Sequence, residues 1–125
     1  MMKDQKVAVV KVKAYPIEVQ FQALPQAPFQ GEILKLTLRG FIADLKKMVV
    51  VVGKVYDVTF TLPTKRLPLQ MKVKVIKTYD QLRGEKSGPL VDHLGEFHFL
   101  KPGELELKEI KEFLVKIKQV ARDSL

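Results

Sequence analysis

Residues 69 to 75 read Leu-Gln-Met-Lys-Val-Lys-Val, which places Leu69, Met71, Val73 and Val75 on one side of an extended chain and Gln70, Lys72 and Lys74 on the other. Successive side chains of a strand point to opposite faces, so this alternation puts one face on a core and the other in water. The same period of two runs through most of the chain. Ile17, Val19 and Phe21 alternate with Glu18, Gln20 and Gln22. Leu34, Leu36 and Leu38 alternate with Lys35 and Thr37, and Val58, Phe60 and Leu62 with Asp57, Thr59 and Thr61. Phe97 and Phe99 flank His98 in the last candidate strand. Turn-forming stretches at 24–31, Gly53, 63–68 and 83–89 separate these runs. Short strands with regular punctuation predict an antiparallel sandwich or barrel.

The period then changes. After Lys101-Pro102-Gly103, the residues Ile110, Phe113, Leu114, Ile117 and Ala121 recur at three- and four-residue spacing, which predicts an amphipathic helix from about Glu104. Glu104, Glu106, Glu109 and Glu112 crowd its start, and Lys116, Lys118 and Arg122 its end. That order complements the helix dipole, so these charges need no functional explanation. The apolar stripe predicts a helix laid over one opening of the barrel with Phe113 as its anchor.

A chain of 125 residues with 46% hydrophobic and 29% charged residues predicts one globular domain over residues 1–125. Zero cysteines exclude thiolate zinc sites, iron–sulfur clusters and cysteine nucleophiles. The start MMKDQK carries an early acid, and Lys11 and Lys13 interrupt the apolar run after it. No signal peptide or membrane span is predicted, and the expected location is the cytoplasm. The net charge is +8, but 18 of the 22 cations are lysines, the usual residues of a solvated face rather than of base and phosphate recognition.

Asp92, His93, Glu96 and His98 are the residues with metal-ligand chemistry. Glu96 and His98 share a strand face and His93 falls on the other, so no metal site is expected. Lys72, Lys74 and Lys77, joined by Lys11 and Lys13, form a candidate basic face, with solubility and protection of an edge strand as the other reading. GEKSG at 84–88 lacks the spacing of a phosphate-binding loop. No nucleophile stands beside a base, and the chain is read as a non-enzyme without a cofactor. The run Met48 to Val52, MVVVV, has no alternation. It is expected to be buried on both faces, with a partner or self-association surface, and hence a homo-oligomer, as the other reading.

Taken in order, these strands, the turn KLTLRG at 35–40, the stretch GKVYDVTFTLP at 53–63, the strand HLGEFHF at 93–99 and the terminal helix resemble a PilZ domain over about Tyr15 to Lys118. The resemblance implies a mainly β fold: a small antiparallel barrel of about six strands with a C-terminal helix. The family's turn has the form Asp/Asn-x-Ser-x-x-Gly, and KLTLRG aligns with it through Thr37 and Gly40, the candidate ligand-binding residues. Gly40 is expected at a positive φ, which glycine adopts without a Cβ penalty. Such domains are receptors for cyclic di-GMP and use an Arg-x-x-x-Arg pair ahead of the turn. No arginine precedes Arg39 here, and Lys35 stands where the turn should open with an acceptor. The resemblance therefore implies a non-catalytic bacterial regulatory or adaptor module with a protein partner in motility, pilus or surface-attachment signalling, and weak or absent cyclic di-GMP binding. Its alternatives are a cyclic di-GMP receptor using Arg39, nearby lysines and Thr37, and a basic barrel that binds nucleic acid. The last would need aromatic platforms on its charged face, whereas Phe60, Phe97 and Phe99 are expected to face the core.

Overall fold

Six strands form in chain order, β1 (Ile17–Gln22), β2 (Phe29–Leu36), β3 (Gly40–Asp44), β4 (Val55–Phe60), β5 (Leu69–Arg83) and β6 (Leu90–Leu100), followed by helix α1 (Glu104–Asp123). The structure is a computed structural model describing residues 14–83 and 90–123, with side chains except at 81–83, 90–91 and 118–123. Lys11, Lys13, the GEKSG stretch and the side chain of Ala121 therefore lie outside the described residues. The strands close into a barrel in the order β1-β2-β3-β6-β5-β4, each neighbouring pair antiparallel. The chain thus makes two three-stranded meanders, β1 to β3 and β4 to β6. Seams β1–β4 and β3–β6 join their edges, so the ring has no open side.

The alternating residues fill the interior as expected. Ile17, Val19 and Phe21 of β1, Val58 and Phe60 of β4 with Leu62 just beyond it, and Leu69, Met71, Val73 and Val75 of β5 are all buried. Phe21, Phe41 and Phe97 form the aromatic centre, with ring centroids 5.0 Å apart for Phe21 and Phe97 and 5.2 Å for Phe41 and Phe97. β2 departs from the expected pattern. Ile33 and Leu36 are buried while Leu34 is exposed, because the β2–β3 register shifts between Ile33 and Lys35, and Leu38 is exposed because β2 has ended at Leu36. A bulge inserts one unpaired residue and switches the inward face, which strict alternation cannot anticipate.

Helix α1 lies at the end of the barrel where β1 begins and β2, β4 and β6 finish. Ile110 and Phe113 are buried in the core cluster, Leu114 and Ile117 pack against it, and Tyr15 meets Phe113 edge-on at 6.3 Å. The Tyr15 hydroxyl in turn accepts a hydrogen bond from the Leu36 amide at 3.2 Å. Lys65 Nζ, beyond β4, reaches Glu112 Oε1 at 3.2 Å.

At the opposite end, residues 45–54 cross from β3 to β4 and tie to β6 and β5 of the other meander. Leu45 N donates to His93 O at 2.7 Å, and Gly53 N donates to Val75 O at 2.8 Å. The expectation that Met48 to Val52 is buried on both faces is corrected here. Val50 is buried, whereas Met48, Val49, Val51 and Val52 are 40%, 66%, 67% and 56% exposed. The ladder stops at Asp44, whose Oδ1 accepts from Lys46 N at 2.9 Å, and Lys46 takes a φ of 58°. A chain turned out of the sheet there no longer has a sheet on both sides, so valine's strand preference is overridden.

Candidate functional site

Three residues, Thr37, Leu38 and Arg39, join β2 to β3, and the Thr37 side chain closes the connection. The Thr37 amide donates to Gly40 O at 2.8 Å, and the Thr37 hydroxyl donates to the same carbonyl at 3.2 Å. The hydroxyl oxygen accepts from the amides of Arg39 and Gly40, each at 3.2 Å. A hydroxyl has one proton and two lone pairs, so the turn itself occupies all of its hydrogen-bonding capacity. Lys35, exposed at the turn's opening, supplies a cation and no acceptor.

The positive φ expected at Gly40 is corrected here, and the need for glycine has a different cause. The φ of Gly40 is not in the left-handed region, a conformation that Gly53 adopts at φ 95°. The requirement is proximity. Gly40 faces His98 across the β3–β6 seam, and a Cβ built on it would lie 1.8 Å from Phe97 O and 2.8 Å from the His98 Cα. The turn is pinned to the same strand by Phe99 N donating to Arg39 O at 2.9 Å. Gly40 is thus the residue that lets the second meander approach, a role invisible without the pairing of two distant segments.

An open groove of about 510 Å³ lies beside the turn on the outer face of β3 and β6, lined by Lys35, Thr37, Leu38, Arg39, Glu96 and His98 among others. His98 Nε2 pairs with Glu96 Oε2 at 3.1 Å, both side chains about one-third exposed. Two cations, a histidine and a carboxylate can attract and orient an anionic group, but Arg39 is the one guanidinium among them. Leu38 and His98 were not singled out for this groove from the sequence. The alternation of β6 turns His98 outward, yet its neighbourhood to the turn depends on the β3–β6 register.

The other histidine belongs to a separate pair. His93 Nδ1 lies 2.7 Å from Asp80 Oδ1, and the alternation of β6 sets His93 on the opposite face from Glu96 and His98. Among the described residues no three His, Asp or Glu side chains converge on a point suited to a metal. On the outer face, Lys72 Nζ is paired with Asp57 Oδ1 at 2.8 Å, Lys74 is exposed, and Lys77 stands over the Tyr79 ring at 5.5 Å. Phe60, Phe97 and Phe99 are buried, as expected, so these three rings give that face no stacking platform. No helix among the described residues is long and apolar enough to cross a membrane.

No family model matches this chain, and no curated protein does. Solved structures that share its fold include two of one other protein. A structure described as the PilZ domain, with c-di-GMP, of YcgR from Escherichia coli superposes with a TM-score of 0.72 at 11% identity, covering 91% of this chain and 96% of that one. A crystal structure of YcgR from Escherichia coli in complex with c-di-GMP gives a TM-score of 0.71 at 13% identity over 90% of this chain, which spans 46% of that longer one. The barrel with its C-terminal helix is a PilZ fold.

Proposed function

We propose that this PilZ-fold barrel is a non-catalytic regulatory module of the bacterial cytoplasm that acts by binding another protein and binds cyclic di-GMP weakly or not at all. The observation that carries the reading is the Thr37 turn. Its hydroxyl is fully engaged by Arg39 and Gly40, so Thr37 and Gly40 shape the hairpin and have little left to offer a ligand. Recognition of two phosphates and two guanines needs charge-assisted, geometrically matched donors. Lysines supply point charges without a plane that stacks on a base. An exposed attraction from Lys35 and Arg39 is screened at physiological salt. Control of motility, pili or surface attachment is the setting that the fold's resemblance suggests.

A second reading, a cyclic di-GMP receptor with a non-standard site, is favoured by one observation: Arg39, Lys35 and His98 line the same open groove. Calorimetric titration with cyclic di-GMP near physiological salt separates the two. The adaptor reading expects a dissociation constant no tighter than about 10 μM, or roughly 7 kcal/mol. Submicromolar binding that Arg39→Ala abolishes would put the receptor first.

A further inference from the structure

We propose that the face made by the 45–54 crossover is a docking site for a partner segment that presents aliphatic side chains flanked by aspartate or glutamate. The inference rests on the reading of the barrel as a protein-binding module and assigns that binding to a surface away from the Thr37 turn.

The aliphatic part of the face is contiguous along the chain. Met48, Val49, Val51 and Val52 are exposed in the crossover, Val55 is 42% exposed where β4 begins, and Ile76 of β5 is 38% exposed. Ile76 adjoins the crossover because its neighbour Val75 is bonded to it twice, accepting from Gly53 N at 2.8 Å and donating to Lys54 O at 2.9 Å. The backbone here is fixed. Met48 N donates to Leu45 O at 2.9 Å and Lys54 N to Val51 O at 3.1 Å, while Leu45 and Val50 anchor the segment in the core. Isolated exposed aliphatic residues are ordinary, but a grouped and rigidly held set marks an interaction surface.

The charge around the face selects its occupant. Residues 45–54 contain three lysines and no acid. Lys46 is held by Glu32 Oε1 at 3.0 Å and Asp44 Oδ2 at 3.5 Å, and the Glu32 hydrogen bond raises its pKa. Lys47, Lys54, Lys74 and Lys77 have no carboxylate partner among the described residues. Lys54 leans over the Tyr56 ring at 5.3 Å and meets the side chain of Gln26, a neutral partner that leaves its charge in place. A rim of lysines without carboxylate partners among the described residues, around an aliphatic centre, is complementary to an apolar segment with acidic flanks. It opposes a symmetric pairing of two copies, which would set lysine against lysine. Interfacial membrane binding of this kind uses an amphipathic helix with tryptophan, phenylalanine or leucine on its apolar face, and residues 45–54 are neither helical nor aromatic.

The test uses the full chain, labelled with nitrogen-15, and a synthetic amphipathic peptide of about 18 residues with leucines on one helical face and glutamates elsewhere. A second peptide carries lysine at every glutamate position. The expected result is binding at least about tenfold tighter for the acidic peptide than for the basic one, weakening with salt. Amide shifts should centre on Met48–Val55 and Ile76, and Val49→Glu with Val51→Glu should abolish binding at an unchanged unfolding midpoint. Lys47→Glu with Lys54→Glu, which leaves the aliphatic residues intact, is the second variant and should reverse the preference between the peptides. Equal affinity for the two peptides, no binding, or shifts centred elsewhere would each overturn the proposal. So would phosphatidylglycerol vesicle binding, or dimerisation in sedimentation, that the paired valine substitutions remove. Shifts centred on another part of the barrel would leave the protein-binding reading standing. Tight cyclic di-GMP binding with no binding of either peptide would remove that reading together with this face.

Discussion

Replacing Phe113 by alanine removes the anchor that holds α1 on the barrel. Phe113 is 1% exposed, Ile110 beside it is 0% exposed, and the ring abuts Tyr15 edge-on at 6.3 Å. Truncating a buried phenylalanine to alanine costs about 3 to 5 kcal/mol, depending on how far the surroundings collapse into the space left. Collapse is restricted here, because Tyr15 is tethered through its hydroxyl to the Leu36 amide in β2. That argues for the upper part of the range, while alanine's better helix propensity returns roughly 0.5 kcal/mol. The net loss is about 4 kcal/mol, a large part of the stability of an ordinary domain. The exposed Lys65–Glu112 pair contributes well under about 1 kcal/mol and cannot hold the helix alone. In urea, with a slope of about 1.5 kcal/mol per molar, the midpoint should fall by about 2 to 3 M. Val115→Ala, at a position 55% exposed on the same helix, should move it by less than about 0.5 M. A Phe113→Ala midpoint within about 0.5 M of the parent would refute the docking of α1 on the core.

Gly40→Ala should destabilise by about 3 kcal/mol or more, because the added Cβ would drive Phe97 O and β6 away from β3. Amide exchange should then speed up along both sides of that seam, and protection unchanged there would contradict the close approach. Thr37→Val keeps the shape of the side chain and deletes its hydrogen bonds, and should cost about 1 to 2 kcal/mol in urea. Thr37→Ser should restore most of the loss. Burial raises the pKa of Tyr56 above the ordinary 10.0, since the phenolate would lose its hydration. The same cause, aided by Glu96, raises that of Tyr79. A raised folded-state pKa favours the protonated fold, so this stability is present below pH 10.0 and is lost as pH rises through the folded values. Ultraviolet titration should show two tyrosines ionising late, with stability declining over the same interval.

What could be read from residues alone was whatever depends on near neighbours. The inward faces of β1, β4 and β5 follow from alternation, and the α1 stripe from its three- and four-residue spacing. Three features escaped, two because a partner on another strand fixes them and the third because the chain turns out of the sheet. The bulge at Ile33 and Lys35 is defined against β3, and it moved one inward position from Leu34 to Ile33 while Leu36 stayed inward as expected. The need for glycine at 40 is set by the carbonyl of Phe97, so local turn chemistry pointed to the right residue by the wrong cause. The valine run reads as a buried strand until the chain is seen to leave the sheet at Asp44. The groove beside Thr37 was half visible. Its turn residues were legible, but Glu96 and His98 join it through the β3–β6 seam.

The division into two meanders also sets the order of events as the chain folds. Pairings within each meander close loops of a few residues, and hairpins of that size form in about 1 to 10 μs. The seams are different. β3 must find β6 with β4 and β5 intervening, and β1 must find β4 beyond β2 and β3. Such distant pairings incur loop-closure entropy before any seam contact returns it, which slows non-local β topologies to milliseconds or seconds. The expected slow step is therefore the closing of the two seams, with residues 45–54 as the tether that sets how often the meanders meet. Shortening or stiffening that tether would change the rate of folding even where it left the finished barrel untouched.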